Sequence, residues 1–355
     1  AKSGRADYND RMLLRNRPIQ LALLIVLIAL VRPSIVQADE LGDPIITNFE
    51  PDRYYAHTQN WVAVQDPRGV MYFGNSAGIL EYDGAHWRLV PIEGGTFARA
   101  LTVAPDGTVF YGAVGEFGYL EAASNGECRA VSLLSLVPKT DRAFNDIWQA
   151  LATPRGVYFF AREKLFRFWQ GRVVPLPGRM ASSQACLLRG FPIYLDRDLG
   201  VSLIDDGRIV PIPALQKVFV RKRIVFTPFA EHQLLAGRLD GDFLRLDLSA
   251  FWDEARSHYD FARPASGTEI TFFPCELSKE LPESSAFLYK LIPIDRDTFA
   301  MCSIKKGIAL FDRQGRIRRT INTQNGLLDN TVADLFLDRD GSLWAPNNSG
   351  ISHIE

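Results

Sequence analysis

Few residues in this chain are spaced to make or break bonds. Gly74-Asn75-Ser76-Ala77-Gly78 fits the Gly-x-Ser-x-Gly pattern, in which a strained strand-to-helix turn presents a nucleophilic serine. Here the segment falls between two strand-like runs. A related segment, Pro346-Asn347-Asn348-Ser349-Gly350, stands at the equivalent place of a later repeat, so Ser76 reads as a turn residue. Asp338-Arg339-Asp340-Gly341 begins like a calcium loop, but no Glu closes it at the required distance, and its carboxylates read as turn formers. His57, His86, His232, His258 and His353 are scattered, without the close spacings of zinc sites. Cys128, Cys186, Cys275 and Cys302 form no Cys-x-x-Cys pair, which leaves either disulfides of an oxidising compartment or buried free thiols. The expectation is a chain with no catalytic residue, no metal and no cofactor.

Residues that could hold a ligand become visible against an internal repeat. Asp66-Pro67-Arg68-Gly69 and Asp338-Arg339-Asp340-Gly341 are each followed three residues on by an aromatic, Tyr72 or Trp344, and nine residues on by a second glycine, Gly78 or Gly350. Weaker copies can be anchored at Gly107, Gly156, Gly190, His232 and Thr298. With Gly69 and Gly341 at the ends, successive anchors lie 38, 49, 34, 42, 66 and 43 residues apart. Seven units of roughly 40 to 50 residues are the length of four-stranded propeller blades. Within each unit, short runs of Val, Leu, Phe and Tyr broken by Gly turns read as antiparallel strands. Asp83-Gly84, Gln170-Gly171, Asp206-Gly207 and Gln314-Gly315 supply the tight turns.

The expected fold is all-β: a seven-bladed β-propeller of four-stranded antiparallel blades over residues 39–355. The blades are placed at about 58–92, 96–135, 144–178, 182–214, 221–255, 285–322, and 326–355 together with 44–50. In the last of these the N-terminal segment Pro44-Ile45-Ile46-Thr47-Asn48-Phe49-Glu50 supplies the missing outer strand, leaving no long sheet edge open. Phe251-Trp252-Asp253-Glu254-Ala255-Arg256 reads as a short helix in an insertion on the rim.

In such a ring the connections entering the inner strands share one face with the loops between second and third strands, and the Asp-Gly turns occupy the other. The entering face collects Thr58, Trp61, Asn145, Trp148 and Asn330. Arg99 and Glu116 add charge from unit two, whose loop is longer than that of unit one, and Arg162 and Lys164 lie in the facing loop of unit three. Trp61 and Trp148 either stack on a flat ligand such as a sugar ring or pack between blades.

Composition narrows the partners. The 355 residues are 47% hydrophobic, enough for a large core, and a net charge of -1 argues against nucleic acid. Arg11, Arg15 and Arg17 precede the apolar run Leu21 to Val31, and Val36-Gln37-Ala38 follows, the anatomy of a secretory signal peptide over residues 1–38. The run is short against the about 20 residues of a membrane span. Export to the periplasm is the expectation, with an uncleaved N-terminal anchor as the alternative.

The segments Asn325-Gly326-Leu327-Leu328-Asp329-Asn330-Thr331-Val332, Asp338 to Trp344 and Ser349-Gly350-Ile351-Ser352-His353-Ile354 resemble the repeat of the two-component regulator propellers, periplasmic sensor modules of bacterial signalling proteins. The match is fair in Trp61 to Tyr82 and Leu101 to Leu120, and one of pattern only in between, where most units lack the Asn-Gly-Leu opening and the tryptophan. The resemblance implies a receptor: a signal peptide, one or two propellers, a small sandwich-like domain, a membrane helix, and a cytoplasmic kinase or cyclase output outside this chain. It implies small or glycan-derived ligands and, for many relatives, homodimers. It supplies no catalytic residue. A protein-interaction scaffold and a carbohydrate-active propeller enzyme are the rival readings, and the second needs a convergent set of acid, base or metal groups. Mass spectrometry of the exported protein is expected to find a mature N terminus near Asp39; recovery of residues 20–36 in a cytoplasmic product would refute the export reading.

Overall fold

The charged turns are built by their aspartates. Asp66 Oδ1 accepts hydrogen bonds from the backbone N–H groups of Arg68 (2.8 Å) and Val70 (3.1 Å). Asp338 Oδ1 does the same for Asp340 (3.0 Å) and Ser342 (2.9 Å), and Asp312 Oδ1 for Gln314 (2.9 Å) and Arg316 (3.0 Å). A carboxylate that satisfies two donors of its own turn fixes where the chain reverses, which is why the repeat shows in the sequence as Asp-x-x-Gly.

Strands run between these turns. The computed structural model describes residues 42–122, 127–182, 184–212, 215, 224–238, 242–262, 270–276 and 288–355; the Arg-flanked apolar run lies outside them. Among the described residues there are seven four-stranded antiparallel sheets. Their inner strands are Asn60–Gln65, Ala98–Val103, Ile147–Thr153, Cys186–Leu188, Ile224–Ala230, Leu288–Pro293 and Phe336–Leu337. The protein is a seven-bladed β-propeller. Among the described residues no helix is long and apolar enough to cross a membrane.

The seventh sheet takes its fourth strand from the other end of the chain. Ile46–Phe49 pairs antiparallel with Ile351–Ile354, Ile46 opposite Ile354 and Phe49 opposite Ile351. The repeat's second glycine marks this contact. A Cβ on Gly350 would lie 2.3 Å from the Phe49 carbonyl oxygen, and one on Gly78 2.6 Å from that of Val90 in the outer strand of blade one. Only glycine lets the fourth strand approach so closely.

Two sequence expectations change in blade five. Ser249–Phe251 is a 3-10 turn, and the residues read as a helix lead into a two-stranded hairpin, Trp252–Asp253 with His258–Tyr259. The hairpin is inserted before the outer strand, Ile270–Phe273, so this blade reaches well past the expected boundary at 255. Trp252 and Tyr259, 5.0 Å apart edge to face, pack on each other and on His232. Cross-strand aromatic pairs favour a hairpin over a helix.

Each sheet is buried by its neighbours. Seven apolar clusters lie one at each contact between successive blades. Between blades two and three Phe117 packs at a tilt on Phe159 at 4.6 Å and stacks on Phe166 at 5.1 Å. At the seam of blades seven and one Phe49 lies 5.3 Å from Trp87 and 5.9 Å from Trp344. The four cysteines are free thiols; burial pushes Cys186 up to about 12. Truncation before Glu50 is expected to lower the denaturation midpoint and cause concentration-dependent self-association in size-exclusion chromatography, because it bares the edge of Ile351–Ile354 and removes Phe49. Trp169→Ala, at a half-exposed turn, is expected to stay within ~0.5 kcal/mol of the parent. A truncated chain that keeps its midpoint and stays monomeric would show that the ring does not depend on this strand.

Candidate ligand site at the channel mouth

Four inner strands slip register at their start. The slips fall between Asn60 and Val62, Ala98 and Ala100, Ile147 and Gln149, and Leu288 and Lys290. The residues left unpaired are Trp61, Arg99, Trp148 and Tyr289. A bulge bends its strand and re-aims the extra side chain. All four side chains line one solvent-open cleft at the channel mouth, together with Lys290 and Asp334.

Arg99 occupies the centre. Its guanidinium carbon lies 4.2 Å from the ring centroids of both Trp61 and Trp148, so the cation bridges the two indoles. Arg162 lies over Trp148 as well, at 4.4 Å. Trp61 donates its Nε1–H to Ser76 Oγ at 3.2 Å, and the Ser76 hydroxyl donates in turn to Gln59. Ser76 is thus a support for an indole. Both tryptophans pack on Arg99 and also between blades, Trp61 stacking on Phe97 at 6.1 Å and Trp148 lying against the apolar cluster that joins blades three and four.

The polar groups of the mouth divide into those that finish the fold and those that do not. An inner strand has one free edge, facing the channel, whose N–H and C=O groups need partners. Asp334 Oδ2 accepts from Ala63 N at 3.1 Å while Oδ1 pairs with Lys290 Nζ at 2.7 Å. Thr102 Oγ1 accepts from Ala152 N at 3.1 Å. Gln184 takes both backbone groups of Leu291, accepting from its N–H at 3.2 Å and donating to its carbonyl at 2.9 Å. Arg99 caps no edge. It meets Asp146 at 3.2 Å, and its buried Nε has no hydrogen-bond acceptor. Burial pushes its pKa down, and the charge of Asp146 opposes that only in part.

The other residues singled out from the sequence stand apart from the cavity. Thr58 is exposed, and its carbonyl accepts from Asn60 Nδ2. Asn145 is exposed and donates to Glu163 at 2.9 Å. Asn330 ties the connection between blades six and seven through Thr323. Glu116 accepts from the Ser132 hydroxyl (2.8 Å) and from Phe117 N (2.7 Å) within its own blade, its pKa raised by burial against those bonds. Tyr289, Lys290, Asp334, Asp146 and Gln184 are additions that sequence reading missed. One signal was available for Tyr289. Eleven residues separate Trp61 from Tyr72, Arg99 from Phe110 and Trp148 from Phe159, and the same interval separates Tyr289 from Ala300, where no aromatic marks the repeat. Among the described residues no group of three His, Cys, Asp or Glu side chains could hold a metal ion.

No family model and no curated protein matches the sequence. Solved structures share the fold. The extracellular domain of BT4673 from B. thetaiotaomicron, a candidate one-component system, superposes with a TM-score of 0.62 at 12% identity over 88% of this chain and 40% of that one. Streptogramin B lyase gives 0.61 at 10% identity over 88% and 98%, and the WD40 propeller domain of Doa1 gives 0.59 at 11% over 84% and 93%. The chain thus spans about 40% of the length of the BT4673 domain. It has the propeller fold that extracellular domains of candidate sensor systems share with a lyase and a WD40 domain.

Proposed function

We propose that this chain is a ligand-sensing input domain of a periplasmic signalling receptor, binding a small or glycan-like molecule at the channel mouth, with its output domain outside the chain. The observation that carries the reading is the convergence of Trp61, Arg99, Trp148 and Tyr289 from four blades on one cavity. The likeness to the extracellular domain of BT4673 supports the same class.

A sensor needs no bond-making group, only a difference in affinity between two states of the receptor. The mouth suits that requirement. Its carboxylates, Asp146 and Asp334, are held by Arg99 and Lys290 and are poorly placed to move a proton. That arrangement favours binding over the lyase chemistry named for a structural neighbour. Thr58, Asn145, Glu116 and Asn330 form the outer rim that a longer oligosaccharide would touch.

Titration with an oligosaccharide library, followed by tryptophan emission, tests the site. Arg99→Ala and Trp148→Ala are each expected to weaken binding by about 1–2 kcal/mol while the far-ultraviolet circular dichroism stays unchanged. Trp169→Ala, on the opposite face, is expected to bind normally. Unchanged binding in both mouth variants, with loss on substitution among the Asp-Gly turns, would move the site to the other face.

A further inference from the structure

The mouth also speaks to the charge of its ligand, and this inference rests on the reading of the mouth as the binding site. Arg99 has left water, its side chain only 13% exposed, without finding a full set of partners. Two indoles stack on the guanidinium, so further partners must come in plane, at its edge. Asp146 meets that edge at Nη1, and Nε stays without an acceptor. Arg162, exposed beside Trp148, has no carboxylate within 4.0 Å among the described residues, whereas Lys290 is already matched by Asp334 at 2.7 Å. The cavity therefore holds one cation paired only in part, Arg99, with the exposed and unpaired Arg162 beside it over Trp148, and its carboxylate Asp334 is already matched by Lys290.

We propose that the mouth takes an oxyanion, the carboxylate of an acidic sugar or other small organic acid, held edge-on by Arg99 with Arg162 as the second donor. A carboxylate offers two oxygens in one plane, the match for a guanidinium fork. Arg99 is dehydrated and its rotamer held by the indoles before any ligand arrives, so binding does not repeat those costs. A neutral analogue would leave Nε without its acceptor, and selectivity follows from that difference. Lysine at this position would keep the charge and lose both the fork and the stack.

The test is a fluorescence titration at low ionic strength with acetate, D-glucuronate, a diuronate, sulfate and phosphate, each uronate set against its neutral sugar. At least one carboxylate is expected to give a saturable change, binding at least about 10-fold more tightly than its neutral counterpart. Arg99→Lys and Arg99→Ala are expected to weaken it by a similar factor, and added salt to weaken it further. A saturable response to sulfate or phosphate alone would overturn the carboxylate assignment. Neutral saccharides binding as well as acidic ones, in a manner that depends on Trp148, would overturn the oxyanion and leave the mouth standing. Saccharides binding with indifference to both Trp148 and Arg99 would overturn the mouth itself, and no response to any anion would overturn this proposal.

Discussion

The structure depends on each blade being unable to bury itself. A four-stranded sheet presents two apolar faces, and here both are covered only by the sheets on either side, through clusters such as Phe117, Phe159 and Phe166 or Phe229, Phe299 and Phe311. Such a chain has no stable partial form with both end faces exposed, so the ring must close. The place of closure carries a cluster of aromatic rings, where Phe49, Tyr82, Trp87 and Trp344 meet and Tyr82 stacks on Trp87 at 4.3 Å. A strand from one end of the chain hydrogen-bonded into the sheet at the other turns the seam into an ordinary blade contact.

Closure also creates the centre. Seven inner strands turn a free edge towards a common axis, and the edge groups must be satisfied by side chains from other blades. Asp334, Thr102 and Gln184 do this for Ala63, Ala152 and Leu291. Gln184 reaches from the approach to blade four to the inner strand of blade six, past blade five, so the channel is crossed by buried side chains. Polar residues near the axis are thus structural unless shown otherwise, and Arg99 is informative because it serves no edge.

The fold was legible because its recurring constraints act on single residues. Asp66 and Asp338 each satisfy their own turn, and Gly78 and Gly350 each admit a strand that no Cβ would allow. Such demands leave the same letter at the same place in different units. The core aromatics can be exchanged among Tyr72, Phe110, Leu235 and Met301, all buried, so the middle units fade without losing their blades. The insertion of blade five was misread because Trp252 to Arg256 has no strand alternation; what makes it a hairpin is Tyr259 and His232, partners beyond the window.

The mouth was legible only in part, for a related reason. Trp61, Arg99 and Trp148 could be placed on the entering face by register, but their meeting depends on bulges, which leave no letter of their own. Thr58, Asn145 and Asn330 shared that register and went to the rim, one or more residues before the strand begins to turn its side chains inward. Asp334 and Lys290 come from units where the repeat is eroded or the inner strand is short, and they find each other across the seam of blades six and seven. Repetition specifies what the seven blades share. A ligand site needs what they do not share, one arginine among aromatics at equivalent positions, and that difference is invisible until the ring brings those positions together.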